Sequence, residues 1–242
     1  MSEFADRLSA VRARIDAAAR RAGRDPAEVR LVAVSKLQPA ERLAEALLAG
    51  QTCFGENYVQ EAVAKQAALA AHPDPAVRRA AAGAEWHLVG PLQRNKARDA
   101  VRHFALVHSV DRESLGEALA RRAHAEGRSL PVLVQVNISG EPTKAGVAPD
   151  DAARLVERLL ALPGLSVRGL MAIPAPASSP DAARAPFAAM RRLRDRLVEA
   201  GLPRSALSEL SMGMSDDFEA AVEEGATLVR VGTALFGPRR PT

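Results

Sequence analysis

Cysteine occurs once in 242 residues, at Cys53. That is expected to exclude an internal disulfide framework and a Cys-based zinc site. Aromatic residues are scarce too, with one Trp, one Tyr and six Phe. Single-stranded nucleic acid is held by stacking bases on exposed aromatics. The formal charge of +4 therefore does not indicate a nucleic-acid partner by itself. The 33 basic residues are interspersed with 29 acidic ones and form no long basic block. No specific nucleic-acid partner is expected. No apolar run approaches the roughly 18 residues of a membrane helix, and the N-terminus has no apolar signal core. The chain reads as a cytoplasmic, soluble monomer.

Lysine is the most informative shortage. Arginine outnumbers it 29 to 4, the four being Lys36, Lys65, Lys96 and Lys144. Arginine stays protonated, whereas a desolvated lysine can lose its proton and act as an amine. An arginine-rich chain that keeps a lysine at a strand end points to a need for that amine. Lys65 falls in a helical surface pattern and reads as a solvated exception. Lys144 lies in a polar loop and reads either as a second amine or as a loop cation.

What the chain has is alternation. Leu31-Val32-Ala33-Val34 is apolar without a break, as in a strand buried on both faces, and it ends in Ser35 and Lys36. The first strand spans about 29–36. A helix over 3–22, with Phe4, Leu8, Val11, Ile15 and Ala18 on one face, precedes it. Helices are predicted over 39–49 and 58–71, with a short strand and turn at Cys53 to Tyr58 between them. A loop with a short helical piece covers 72–83. Further strands are predicted at Glu85 to Gly90, Leu106 to Val110, Pro131 to Asn137, Ser166 to Ile173, Leu207 to Met212 and Leu228 to Thr233. Asp111 is a plausible cap for the helix that runs to about 126. Helices over 149–162 and from the loop 174–180 to about 200 follow, and Ser215 to Asp217 cap one ending near Gly225. Eight strands alternating with helices predict an α/β fold, a single (β/α)8 TIM-type barrel over residues 1–242. A full helix after strand eight is missing, so the extra N-terminal helix is expected to cover that gap.

Polar residues gather at the predicted strand ends. They include Lys36, Asn57, His87, His108, Asn137 and the run Ser211 to Ser215. Two adjacent strands carry the sharpest signal. Ser211-Met212-Gly213-Met214-Ser215 leads to a helix start, and Arg230-Val231-Gly232-Thr233 lies beside it. Phosphate sites in such barrels form in the loops after strands seven and eight. His87 and His108 read as hydrogen-bonded core residues rather than bases. No pair of histidines or carboxylates has metal-ligand spacing, so no metal is expected. An amine facing an anion cradle suits pyridoxal 5′-phosphate, which joins a lysine and is anchored through its phosphate.

Six motifs in order resemble the pyridoxal phosphate homeostasis protein family. They are Val34-Ser35-Lys36, Phe54-Gly55-Glu56-Asn57-Tyr58, His87 to Lys96, Gly169 to Ile173, Ser211 to Asp217, and Arg230-Val231-Gly232-Thr233. The family's barrel is similar to the N-terminal domain of alanine racemase, of fold type III. The resemblance implies that Lys36 is the Schiff-base lysine and that Ser215, Gly232 and Thr233 hold the phosphate. It implies that Arg230 faces the pyridine nitrogen, with Asn57 and Met212 as ring and phosphate-loop contacts. It further implies a non-catalytic carrier that supports vitamin B6 homeostasis, with apo forms of pyridoxal phosphate enzymes as recipients. The alternative is an amino-acid racemase, which needs a second acid/base opposite the lysine. The sequence has no second domain to supply one and only one tyrosine, Tyr58.

Overall fold

Residues 2–141, 143–175 and 180–238 are described in the computed structural model. Their parallel strands close into a barrel in chain order. The strands are β1 Arg30–Val34, β2 Cys53–Glu56, β3 Glu85–Leu88, β4 Leu106–Val110, β5 Leu130–Gln135, β6 Leu165–Met171, β7 Glu209–Ser211 and β8 Leu228–Val231. Closure is made by β1 and β8, which pair from Arg30↔Leu228 to Ala33↔Val231. The helices are α1 Glu3–Arg21, α2 Ala40–Leu48, α3 Val59–Ala70, α4 Pro75–Ala82, α5 Ala97–His103, α6 Glu113–Ala125, α7 Ala152–Leu160, α8 Pro180–Glu199, α9 Phe218–Glu223 and α10 Thr233–Phe236. The barrel with its extra N-terminal helix is the expected fold.

Side chains alternate across each strand, so residue parity decides which way they face. Leu31, Ala33, Leu210, Met212, Val229 and Val231 belong to the layer packed against the helices. Val32, Cys53, Leu106, Leu133, Met171 and Leu228 form a separate cluster inside the barrel. His87, His108, Ser211 and Arg230 share the inward parity of that second set and are all buried. The interior of this barrel is therefore partly polar.

Only the four-residue α10 follows β8 among the described residues. The apolar face of α1 fills that place, with Phe4, Leu8, Val11 and Ile15 buried. Each such side chain contributes roughly 1.5–3 kcal/mol through burial. Phe4 meets Phe236 at 5.1 Å between ring centroids, and the Arg14 guanidinium lies 4.6 Å over the Phe218 ring. Arg24 anchors the end of the helix by donating to the Val222 and Ala226 carbonyls.

Local boundaries depart from the sequence reading in two places. Strand seven is shorter than 207–212, because Arg204–Leu207 winds into a 3-10 turn. Asp111 does not cap α6; Arg112 holds that position, and Asp111 pairs with the Arg112 side chain instead. The helix read after Ser215 to Asp217 is present as α9, with Asp217 at the cap position; its side chain accepts from the Met214 N–H and makes no hydrogen bond into the helix. Of the predicted loop 174–180, residues 176–179 lie outside the described set.

Candidate functional site

Lys36 stands two residues beyond the end of β1 and keeps the inward parity of Val32 and Val34. It is half-buried and lines a cleft of about 180 Å³ at the C-terminal mouth of the barrel. The backbone around it is tightly held. Leu37 adopts φ 61°, a left-handed conformation that costs a branched side chain roughly 1–3 kcal/mol. Its side chain is exposed, so packing there does not offset that strain.

The restraint comes from Lys65, which the sequence reading left on the surface. It is buried instead. From α3 its Nζ donates to the Ser35 carbonyl at 2.6 Å, to Glu56 Oε1 at 2.7 Å and to Glu61 Oε1 at 2.6 Å. Glu61 Oε1 also accepts from the Leu37 N–H, and Glu56 Oε1 from the Ser35 hydroxyl. The clamp thus grips the peptide groups on both sides of Lys36. Burial raises the Glu56 carboxyl above its usual range, while the Lys65 and Ser35 hydrogen bonds pull it back down. Its second oxygen, Oε2, is buried with no hydrogen-bond partner. The sequence signal for this clamp was the i, i+4 spacing of Glu61 and Lys65 on a helix.

Across the cleft stand Ser215, Gly232 and Thr233. Three donors converge on Ser215 Oγ: the Gly232 N–H at 3.2 Å, the Ala234 N–H at 3.3 Å and the Thr233 hydroxyl at 3.4 Å. The oxygen-seeking groups come from the first turn after β8, one of the two adjacent strand ends singled out in the sequence. Gly213 makes the turn behind them possible. Its φ is 90°, and a Cβ there would lie 2.5 Å from that of Ala221.

Arg230 completes the cleft. It is 4 % exposed and donates to Ser211 Oγ at 2.6 Å and to the Ala172 carbonyl at 2.9 Å. Burial lowers its pKa to about 10, which leaves it cationic at neutral pH. The hydrogen-bonded chain continues down the barrel. Ser211 Oγ meets His108 Nδ1 at 2.8 Å, and His108 Nε2 meets His87 Nδ1 at 3.0 Å. Arginine only donates, so Ser211 accepts from it and can pass its own hydrogen to His108. Each histidine then carries its proton on Nε2. Burial lowers both histidine pKa values, and the nearby His87 and Arg230 charges lower His108 further, so both are neutral at pH 7. His87 and His108 are hydrogen-bonded interior residues, as read from the sequence.

Of the expected residues, Lys36, Ser215, Arg230, Gly232 and Thr233 come together in one cleft. Asn57 and Met212 do not line it. Met212 has the outward parity and packs with the helix-facing core, whereas Met214, two residues on, faces the cleft. Asn57 is half-buried behind the rim, and its backbone is pressed so close to Gly90 that a Cβ on Gly90 would lie 2.5 Å from the Asn57 carbonyl oxygen. Gln38 and Asp216 also line the cleft; Asp216 lies within the motif Ser211 to Asp217 but was read only as a helix cap, and Gln38 carried no signal of its own. Lys144 pairs with Glu141 at 3.0 Å in its loop, of which Pro142 lies outside the described residues. A larger cleft, of about 590 Å³, opens at the other end of the barrel near Arg24 and Arg191. It holds no lysine, and Arg24 is committed to the Val222 and Ala226 carbonyls, Arg191 to Glu224 and Arg194 to Asp195.

The sequence profile of the alanine racemase N-terminal domain matches residues 7–240. The pyridoxal phosphate homeostasis protein of Pseudomonas aeruginosa is 50% identical over 239 residues, covering 99% of this chain and 97% of that protein. The protein of the same name from Escherichia coli K12 is 44% identical over 243 residues, covering 99% and 98%. Among solved structures, PipY of Synechococcus elongatus with PLP bound superposes with a TM-score of 0.82 at 42% identity, covering 97% of this chain and 100% of that one. The chain belongs to the pyridoxal phosphate homeostasis protein family, built on the alanine racemase N-terminal barrel.

Proposed function

We propose that the chain is a non-catalytic pyridoxal 5′-phosphate carrier that holds the cofactor covalently on Lys36 and releases it to apoenzymes. The observation that carries this reading is the pairing of Lys36 and a fixed Arg230 in one cleft. Pyridoxal phosphate supplies an aldehyde that condenses reversibly with an amine and a ring that can draw electrons from the bonded carbon. The residues present fit that group. Lys36 offers the amine on a strained and clamped turn. Ser215, Gly232 and Thr233 offer hydroxyl and N–H groups for the phosphate. Arg230 offers a cation that can only donate, so it meets an unprotonated ring nitrogen and keeps it so. A ring without that proton is a weak electron sink, which suits storage rather than racemisation. Asn57 and Met212 support the walls of the site from behind.

The racemase alternative requires a second acid/base opposite Lys36. Such assistance is typically worth 10²–10⁴-fold. Tyr58, the one tyrosine in the sequence, is exposed at the start of α3 and does not line the cleft. The test has two arms. The loaded protein should restore activity to an apoenzyme that needs pyridoxal phosphate, and Lys36→Ala should abolish loading. Incubation with L- or D-alanine in deuterated water should give no appreciable exchange at the α-carbon. Lys36-dependent exchange at enzyme-like rates, with both enantiomers formed, would replace the carrier reading with the racemase one.

A further inference from the structure

We infer that Cys53, Glu85 and His87 form a binding site for a divalent transition-metal ion of the zinc class at the floor of the barrel, the end opposite Lys36. The three residues come from β2 and β3, whose register sets Cys53 beside Glu85 and Gly55 beside His87. Each offers one ligand atom, and these atoms all lie within 4.8 Å of one another. No other set of this kind occurs among the described residues. Cys53 Sγ is 3.6 Å from His87 Nε2, which is 3.7 Å from Glu85 Oε2. Zinc bonds of about 2.3 Å to sulfur and 2.0–2.1 Å to nitrogen or oxygen place tetrahedral ligands about 3.3–3.6 Å apart. The Cys53–His87 and His87–Glu85 pairs therefore need to close by only a few tenths of an ångström, and the Cys53–Glu85 pair by at most about 1.2 Å. The spacing Cys53…Glu85-x-His87 resembles no linear metal motif, which is why the sequence showed no site.

The surroundings suit an ion in three further ways. A cleft of about 320 Å³ opens onto Cys53 and Glu85, giving an entry path and room for a water as fourth ligand. His87 Nδ1 already has an outer partner, His108 Nε2 at 3.0 Å, the kind of support that fixes a metal-bound imidazole. Charge balances as well. Arg30 lies 2.8 Å from one Glu85 oxygen and 4.0 Å from Glu209. With the ion bound, Arg30 and the metal bring three positive charges against Glu85, Glu209 and the Cys53 thiolate. Arg30 and His87 both face Glu85 Oε2, so a turn of the carboxylate that keeps one oxygen on Arg30 presents the other to the ion.

Binding is balanced in protons. The Cys53 thiol, held protonated by burial, gives up its hydrogen to solvent as the sulfur–metal bond forms. His87 frees Nε2 for the ion and carries its proton on Nδ1, donating to His108 Nε2. His108 in turn donates from Nδ1 to Ser211 Oγ, whose two lone pairs accept from both His108 and Arg230.

The test is zinc titration of the full-length protein by calorimetry, with X-ray absorption on the loaded sample. One ion per chain is expected, with one sulfur at about 2.3 Å and nitrogen or oxygen at about 2.0–2.1 Å. Cys53→Ser should lose the sulfur shell and weaken affinity at least tenfold. Glu85→Gln, at a half-exposed position that tolerates change, should also weaken it at least tenfold, and decides the matter if the serine variant does not fold. The exposed His124→Ala should leave affinity unchanged. Absence of saturable binding, a shell without sulfur, or affinity indifferent to both Cys53 and Glu85 would overturn the site and leave an adventitious ion only.

Discussion

Replacing Lys65 by Met should destabilise the barrel steeply at neutral pH and mildly in acid. The methionine fills similar space but removes the cation that contacts Glu56, Glu61 and the Ser35 carbonyl within 2.7 Å. Glu56 is fully buried, so without Lys65 it must either stay charged and unpaired or take up a proton. Taking up the proton sets the upper limit. From the usual value of 4.5, neutralising the carboxyl at pH 7 costs about 2.5 × 1.36, or about 3.4 kcal/mol. At pH 5 the same step costs about 0.7 kcal/mol. The sign is consistent with the wild type. Glu56 already has a raised carboxyl, so its contribution to stability is larger in acid and is lost as pH rises through its folded-state value. Removing Lys65 raises that value further and extends the loss to higher pH. Urea unfolding of both proteins at about pH 7 and about pH 5 should show the difference shrinking by up to about 2.7 kcal/mol, less whatever the raised wild-type carboxyl already contributes. Adding Glu56→Gln to the variant should recover most of the loss at pH 7. A deficit that does not change with pH, or one below about 1 kcal/mol at pH 7, would refute the clamp as the holder of the Lys36 turn.

Three further outcomes follow from the site. His87 and His108 both have lowered folded-state values, so the stability they lend is present above about pH 6.5 and is lost as pH falls below it, at up to about 1.4 kcal/mol per unit per histidine. Urea unfolding of His108→Gln should show a shallower loss between about pH 6.5 and pH 5 than the wild type. The double change Ser215→Ala, Thr233→Val removes two hydroxyls, each worth about 1.5–3 kcal/mol to an ionised group, and should weaken pyridoxal phosphate binding at least tenfold in a fluorescence titration while circular dichroism is unchanged. Met212→Leu should leave that binding unaltered and cost less than about 1.5 kcal/mol, because the side chain points to the helices and the swap conserves volume.

The barrel was legible because each strand wrote itself as a short apolar run bounded by turn residues, and because Lys36 and Arg230 were polar residues at the ends of such runs. The candidate cleft was legible where residues stand at the ends of neighbouring strands, as Lys36 does on β1 and Arg230, Gly232 and Thr233 do on β8. Met212 packs with the helix-facing core while Met214 lines the cleft, because the turn at Gly213 (φ 90°) lies between them and a motif does not state such a turn. Lys65 was misread because its helical period marks a face without saying what that face covers. That face lies over Glu56, a buried acid that attracts a cation. The histidine chain and the Cys53, Glu85 and His87 trio depend on which strands are adjacent, a relation between distant segments that periodicity does not encode.

Borohydride reduction of the pyridoxal phosphate-loaded protein, followed by peptide mapping, tests the central claim most directly. The reduced pyridoxyl group should be found on the peptide containing Lys36, at close to one per chain, and nowhere in the Lys36→Ala variant. Its recovery on Lys65, Lys96 or Lys144 in the wild type, or on no lysine at all, would contradict the account.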